Sequence, residues 1–252
     1  MTYLYCLVRS GRKPGLRRVS RGVPGAGAVR ALDAGNGLWL VVADVGERQY
    51  SEAAITKNLQ DLEWVSPRAV GHETVIEQFL SAPAVLPMQL FSIFRTDERA
   101  LEYVRKNRRR IDRNLKRIEG HVEWGLRLTW DEQAAREAVE RAHRPGGDGS
   151  GASYLARKRD LRDVNRVQLA EARAEATRVF KDLSRHATDA VRRTSTERAA
   201  AGSRLLLDAA YLVPARRAAA FRTALRQRAR GLASSGLAVS LTGPWPAYNF
   251  IA

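Results

Sequence analysis

Thr242-Gly-Pro-Trp-Pro-Ala-Tyr-Asn-Phe-Ile251 is the stretch whose reading decides the fold of this chain. Two prolines flank Trp245 and fix the backbone on both sides, so the indole is held at one orientation at low entropic cost. Gly243 ends the strand-like run Leu237-Ala-Val-Ser-Leu241. Tyr248 and Phe250 follow two apart, as side chains on one face of a strand do. A tail this rich in large apolar groups is expected to be docked, not frayed. Trp245 and Phe250 are its expected anchors, on a C-terminal domain.

Outward from the tail, Arg204–Val213 reads as a strand ending at Pro214, and Ala215–Gly231 as a helix. Residues 152–193 are helix-forming and rich in Ala and Arg, as one long helix or two. Leu161, Val164, Val179 and Leu183 are among their apolar points. A Gly-rich break at His143–Gly151 precedes them. His121–Trp130 alternates Val122, Trp124, Leu126, Leu128 and Trp130 against polar or small residues, which predicts a half-buried strand.

The first half carries Tyr3–Val8 as a buried strand, a Gly/Pro/Arg loop to about Gly27, and Gly37–Ala43 as a second strand. Ser51 is placed to cap a helix. Asp61-Leu-Glu-Trp-Val65 is expected to stop at Ser66-Pro67, with a separate helix over 68–81. Met88–Phe94 reads as a strand. Thr96-Asp97-Glu98 is a helix start, a capping hydroxyl with two acids at the positive end of the dipole. The helix that follows, 97–118, has an apolar stripe of Leu101, Val104, Ile111, Leu115 and Ile118. Gly120 ends it. Strands alternating with helices of similar length predict an α+β chain of two domains, 1–119 and 120–252. Each is expected to be a ferredoxin-like, split βαβ sheet covered by helices on one face, most plainly in the second half.

Hydrophobic residues make up 44% of the 252, enough for a real core. No apolar run approaches the ~18 residues of a membrane span, and the opening Met-Thr-Tyr-Leu-Tyr-Cys lacks the pattern of a signal peptide. A single cysteine, Cys6, excludes an intramolecular disulfide and reads as a core thiol. These features predict a cytosolic protein. The net charge is +16 and unevenly spread. Residues 1–30 carry seven Arg or Lys and no acid, residues 95–118 ten basic against four acidic, and residues 204–230 seven Arg against Asp208 alone. Such an excess suits an acidic protein surface, nucleic acid or anionic lipid, or simply a solvated surface.

Catalytic patterns do not emerge. His72, His121, His143 and His186 form no metal-binding pair, and one cysteine cannot complete a zinc set. His72-Glu73 is the one adjacent acid–base pair, and reads more simply as a surface or helix-start histidine. Gly22–Gly27 and Gly146–Gly151 lack the lysine and spacing of a phosphate loop and read as flexible loops. No cofactor is expected. The Arg-rich helix 97–118 is the candidate surface, with Arg105, Arg108, Arg109 and Arg113 on its polar face as partner-binding residues. A nucleic-acid-binding role for that face is the alternative. However, no helix-turn-helix or zinc finger accompanies it, and its apolar stripe commits it to its own core.

Six segments, in order, resemble the motifs of the GvpF/GvpL family of gas vesicle proteins. Tyr3-Leu-Tyr-Cys-Leu-Val8 looks like the family's opening strand, with Cys6 at a common glycine. Val85-Leu-Pro-Met-Gln-Leu-Phe-Ser-Ile-Phe94 resembles its central Leu-Pro-Met strand, with Gln89 at a frequent basic position and Phe91 at a frequent glycine. Gly120-His-Val-Glu-Trp-Gly125, Ser153-Tyr-Leu155, Ala209-Ala-Tyr-Leu-Val213 and Gly243-Pro-Trp-Pro-Ala-Tyr-Asn-Phe250 are similar to the remaining motifs, with Ala247 at a common proline. The resemblance implies two α+β domains, the first a modified ferredoxin-like fold. It also implies a non-enzymatic role in gas vesicle formation in the cytoplasm, as an assembly factor or minor vesicle component. The implied partners are the small hydrophobic shell protein, GvpA, and other accessory proteins.

Overall fold

In the computed structural model, residues 1–16, 22–131, 133, 151–194, 203–232 and 236–251 are described, with backbone alone for 151–165. His143 and the Gly-rich run from Gly146 to Ser150 lie outside them, as do the side chains of Leu161 and Val164. The chain divides into two compact units, Met1–Glu123 with Pro244–Ala252, and Trp124–Gly243.

The first unit is built around strand β1, Thr2–Arg9, which is buried at every position through Val8. It lies inside an antiparallel sheet ordered β2 (Arg30–Asp33), β3 (Leu38–Asp44), β1, β4 (Ala84–Pro87), with the short β5 (Ile93–Phe94) also paired to β1. This is the split βαβ strand order, with no helix among the described residues between β1 and β2. Burial on both faces requires cover on both. Tyr3, Tyr5, Val41 and Ala43 pack with Val75 and Ile76 of α3 (Leu62–Glu77), with Phe79 just beyond its end, and with Tyr50 of the short α1 (Glu47–Tyr50). The alternate side chains Leu4, Leu7, Leu38, Leu40 and Val42 are fully buried on the other face. There α4 (Asp97–Lys106) and α5 (Arg108–Ile118) lie against the sheet. The expectation of cover on one face alone is therefore corrected for this sheet.

Two buried phenols on β1 organise the first face. The Tyr3 hydroxyl accepts from Phe91 N–H (3.2 Å) and lies 2.9 Å from His72 Nδ1. His72 Nε2 is 3.1 Å from the carbonyl of Met88. A carbonyl only accepts, which assigns the ring proton to Nε2 and leaves Nδ1 to accept from Tyr3. The Tyr5 hydroxyl accepts from Val23 N–H at 3.0 Å, and Tyr50 donates to Pro24 O at 2.5 Å. Gly22–Gly27 is thus pinned, not flexible. A Cβ on Gly71 would stand 2.8 Å from Gly22 O, so glycine there lets α3 approach this loop.

Several sequence expectations are corrected. Ser51 does cap a helix, α2 (Glu52–Asn58). Pro67 does not end a helix, since α3 starts at Leu62 under an Asp61 cap and runs through it. Pro67 is exposed, so the carbonyl it leaves unpaired can take water. The strand expected over 88–94 is a turn that follows β4 and then the two-residue β5, because Phe91 takes φ +66 with its N–H held by Tyr3. The helix expected over 97–118 breaks at Asn107, whose side chain donates to Tyr103 O at 2.8 Å.

The second unit begins within β6 (His121–Asp131) and follows the expected order with one correction, since the stretch read as helix to residue 193 stops at Ser184 and gives way to a further strand. Then come α6 (Gly151–Ser184), β7 (Asp189–Arg192), β8 (Ser203–Pro214), α7 (Ala218–Leu232) after a 3-10 turn, and β9 (Leu237–Trp245). The sheet order β7-β8-β6-β9 is the ferredoxin-like one, with both helices as crossovers. Trp124, Leu126, Leu128 and Trp130 are buried, as their alternation predicts. Trp124 and Tyr211 pack on Phe221 of α7, with ring centroids 6.3 and 5.3 Å apart. Asp208, nearly fully buried, is held by Arg193 at 2.5 Å and Arg127 at 3.3 Å.

The tail is docked, but onto the first unit and not the second as expected. Tyr248 donates to Glu73 Oε2 at 2.6 Å. Asn249 gives its N–H and its side-chain amide to the two oxygens of Glu123, at 2.8 and 2.5 Å. Phe250 is 1% exposed, whereas Trp245 is only half-buried. Truncating Phe250 to Ala is therefore expected to cost about 3–5 kcal/mol in chemical unfolding of the first unit, and Trp245→Ala distinctly less. An equal loss from the two would show that the indole carries the docking.

Burial pushes the His72 pKa down to about 4. Between there and the unfolded value near 6.5, the unfolded chain binds the extra proton, so stability falls as pH drops through this window. Going from about pH 7 to about pH 5 should cost roughly 2 kcal/mol through this group. His72→Gln keeps a donor and an acceptor without titrating. Its unfolding midpoint should change less over that range than the wild type's. Glu73, pushed up by burial, acts in the opposite sense but is present in both proteins. Parallel pH profiles would remove His72 as the cause.

Candidate functional site

Helices α4 and α5 have three kinds of side. Ala100, Val104, Ile111, Leu115 and Ile118 are buried against the sheet. The Thr96 hydroxyl caps α4, accepting from Arg99 N–H at 3.4 Å. On one flank, Asp112 bridges Arg9 of β1 (2.6 Å) and Arg108 (2.9 Å). Asp97 is held by Arg30 of β2 at 2.8 Å and by the Thr2 hydroxyl at 2.7 Å. Glu102 pairs with Lys106 at 2.9 Å and Arg99 at 2.8 Å, which hold its carboxyl down to about 2. Glu98 is held below its usual range by the Thr96 hydroxyl. Every acid of the two helices is thus engaged within the unit.

The cations are not all engaged. Arg105, Arg109 and Arg113, three of the four residues singled out from the sequence, are exposed and have no partner among the described residues. Lys116 continues the same outer face. Arg108 differs. It is half-buried, pairs with Asp112 and approaches the carbonyls of Ala34 and Gly35 at 3.4 and 3.5 Å, so it fastens α5 to the β2–β3 turn. The sequence could not separate Arg108 from its neighbours, because the acid that takes it serves Arg9 as well.

Sequence reading missed what lies on the opposite flank of α5. A cavity of about 360 Å³ opens there, with Leu86, Met88, Ile111 and Ile251 as its apolar walls. Tyr103, Arg110 and Asn114 stand at its side. Arg110 donates to the Tyr103 hydroxyl at 3.1 Å, and the Tyr103 ring lies 5.3 Å from that of Phe94. Arg110 and Asn114, four apart beside the stripe, were the available signal. The irregular path of residues 88–92, which leaves the space, was not legible.

The other candidates are placed differently. His72 is buried, not on the surface, and both ring nitrogens are taken by Tyr3 and Met88. Glu73 turns instead to Tyr248, so the two do not form an acid–base pair. Cys6 is buried, and burial raises its thiol far above the usual range. His121 Nδ1 lies 2.7 Å from Glu119 O, and His186 is exposed. Among the described residues no group of His, Cys, Asp and Glu is arranged to hold a metal, and no helix is long and apolar enough to cross a membrane.

Comparison with known proteins places this geometry. The fold matches two crystal structures of the gas vesicle protein GvpF. One, from Anabaena sp. PCC7120, has a TM-score of 0.68 at 15% identity, covering 99% of this chain and 94% of the other. The other, from Microcystis aeruginosa, has a TM-score of 0.66 at 16% identity, covering 99% and 98%. In sequence the chain is 30% identical over 212 residues to gas vesicle protein L of Streptomyces sp. (strain CB03234), covering 83% of this chain and 78% of that one. The family model of the gas vesicle synthesis protein GvpL/GvpF matches residues 1–252, and the chain belongs to that family of gas vesicle proteins.

Proposed function

We propose that this chain is an accessory factor of gas vesicle assembly that binds the small hydrophobic shell protein, GvpA, and holds it until incorporation. The observation that carries the reading is family membership across the whole chain. A shell subunit with an apolar, gas-facing side aggregates in water unless it is held. A non-enzymatic binding role needs surfaces and not a reaction centre. The exposed cations of α4 and α5, with the cavity beside them, offer one. On this reading the chain works at the growing vesicle in the cytoplasm, with other gas vesicle accessory proteins as further partners.

The test is direct. Purified protein mixed with shell protein at micromolar concentrations should co-elute with it in gel filtration and lower its light scattering. Separate elution with unchanged scattering would overturn the reading.

A further inference from the structure

We propose that the cavity beside α5 and the outer arginines Arg105, Arg109 and Arg113 form one docking site for an acidic amphipathic helix of a partner protein. This rests on the reading that the chain works by binding other proteins. The argument is charge complementarity. Asp97, Glu98, Glu102 and Asp112 are all engaged within the unit, so no acid of α4 or α5 remains to neutralise Arg105, Arg109, Arg113 or Lys116. Arg109 and Arg113 are four residues apart on α5, about one helical turn, which matches carboxylates at the same spacing on a partner helix, and Arg105 adds its charge from the end of α4 across the break at Asn107.

The cavity supplies the second half of the site. Leu86, Met88, Ile111 and Ile251 line one side of it and polar groups the other, and about 360 Å³ accommodates a large apolar side chain of the partner against the apolar side. Arg110 uses one of its N–H groups on Tyr103 and has others to offer a carboxylate at the rim. A helix with apolar residues on one side and carboxylates beside them fills both halves at once. A nucleic-acid backbone would use the cations but has no apolar group for the cavity. The Tyr103 ring, the aromatic at the rim, is already packed on Phe94.

Fluorescence anisotropy of the full chain tests this with three labelled probes. One is a short peptide with leucines at helical spacing and glutamates beside them. The second is the same peptide with glutamine for glutamate, and the third a duplex DNA oligonucleotide. The glutamate peptide should bind about tenfold or more tighter than its glutamine counterpart, and added salt should weaken it. The triple variant R105E/R109E/R113E should lose that preference without a change in thermal unfolding, since the three side chains are exposed. Gln89→Trp, placed at the exposed cavity mouth, should weaken the peptide while leaving the charges intact. Equal binding of the two peptides, an unaffected triple variant, or DNA bound more tightly than the glutamate peptide would each overturn the site. An unaffected Gln89→Trp would overturn the part played by the cavity. If the shell protein binds the wild type and the triple variant alike, the site falls and the accessory reading stands. If the glutamate peptide binds and the shell protein does not, the reverse holds.

Discussion

A hydroxyl taken into a protein core without a hydrogen bond costs about 1–3 kcal/mol, and β1 carries two phenols into the core of the first unit. Their hydrogen bonds decide where three irregular pieces of chain lie. Tyr3 holds the turn at Phe91 and the helix at His72. Tyr5 holds Val23, and Tyr50 on the neighbouring helix holds Pro24. His72 then closes the circuit at Met88. The left-handed backbone at Phe91 is unfavourable for a residue with a Cβ, and the Tyr3 bond helps to keep it. Among the described residues of the second unit, the buried phenol of Tyr211 has no such circuit. Tyr211 is buried among rings with its hydroxyl unpartnered, and its core rests on aromatic packing and the Asp208 ion pairs instead.

Because the tail returns to the first unit, that unit is assembled from two separate pieces of chain. Glu73 accepts the Tyr248 hydroxyl, and Glu123 accepts two N–H groups of Asn249. Without residues 244–251, Glu73 would lose its bond from Tyr248 inside the protein, and the cavity beside α5 would lose Ile251 from its wall. The docking of the tail and the shape of the candidate site are therefore one structural event.

Much of this was legible in the sequence wherever a short-range rule governs. Apolar runs found β1 and β3, alternation found β6, the hydroxyl of Thr96 marked the start of α4, and the apolar stripe found the buried side of α5. The misreadings share a cause, which is a long-range partner overriding a local signal. Pro67 looks like a stop until its ring is seen to face water. Gly22–Gly27 looks flexible until Tyr5 and Tyr50 are seen to hold it. The β-run at 88–94 turns aside because a hydroxyl some ninety positions away takes the N–H of Phe91. At the site, composition found the cationic helix. Separating Arg108 from Arg105, Arg109 and Arg113 required knowing that Asp112 faces β1, and the cavity depends on the path of residues 88–92 and of the tail.

The charge distribution gains a physical sense from these pairings. In the first unit, basic residues of the sheet, Arg9 and Arg30, take acids of α5 and α4 respectively, which fastens the helices to the sheet. The same pairings strip the helices of internal neutralisation and leave their outer cations to solvent or to a partner. At +16 overall, copies of the chain repel one another. That repulsion opposes association of the chain with itself, and the same field favours the approach of acidic over basic surfaces. The assembly role proposed above calls for both properties together, and a sheet that draws acids inward from its covering helices provides them from one set of ion pairs.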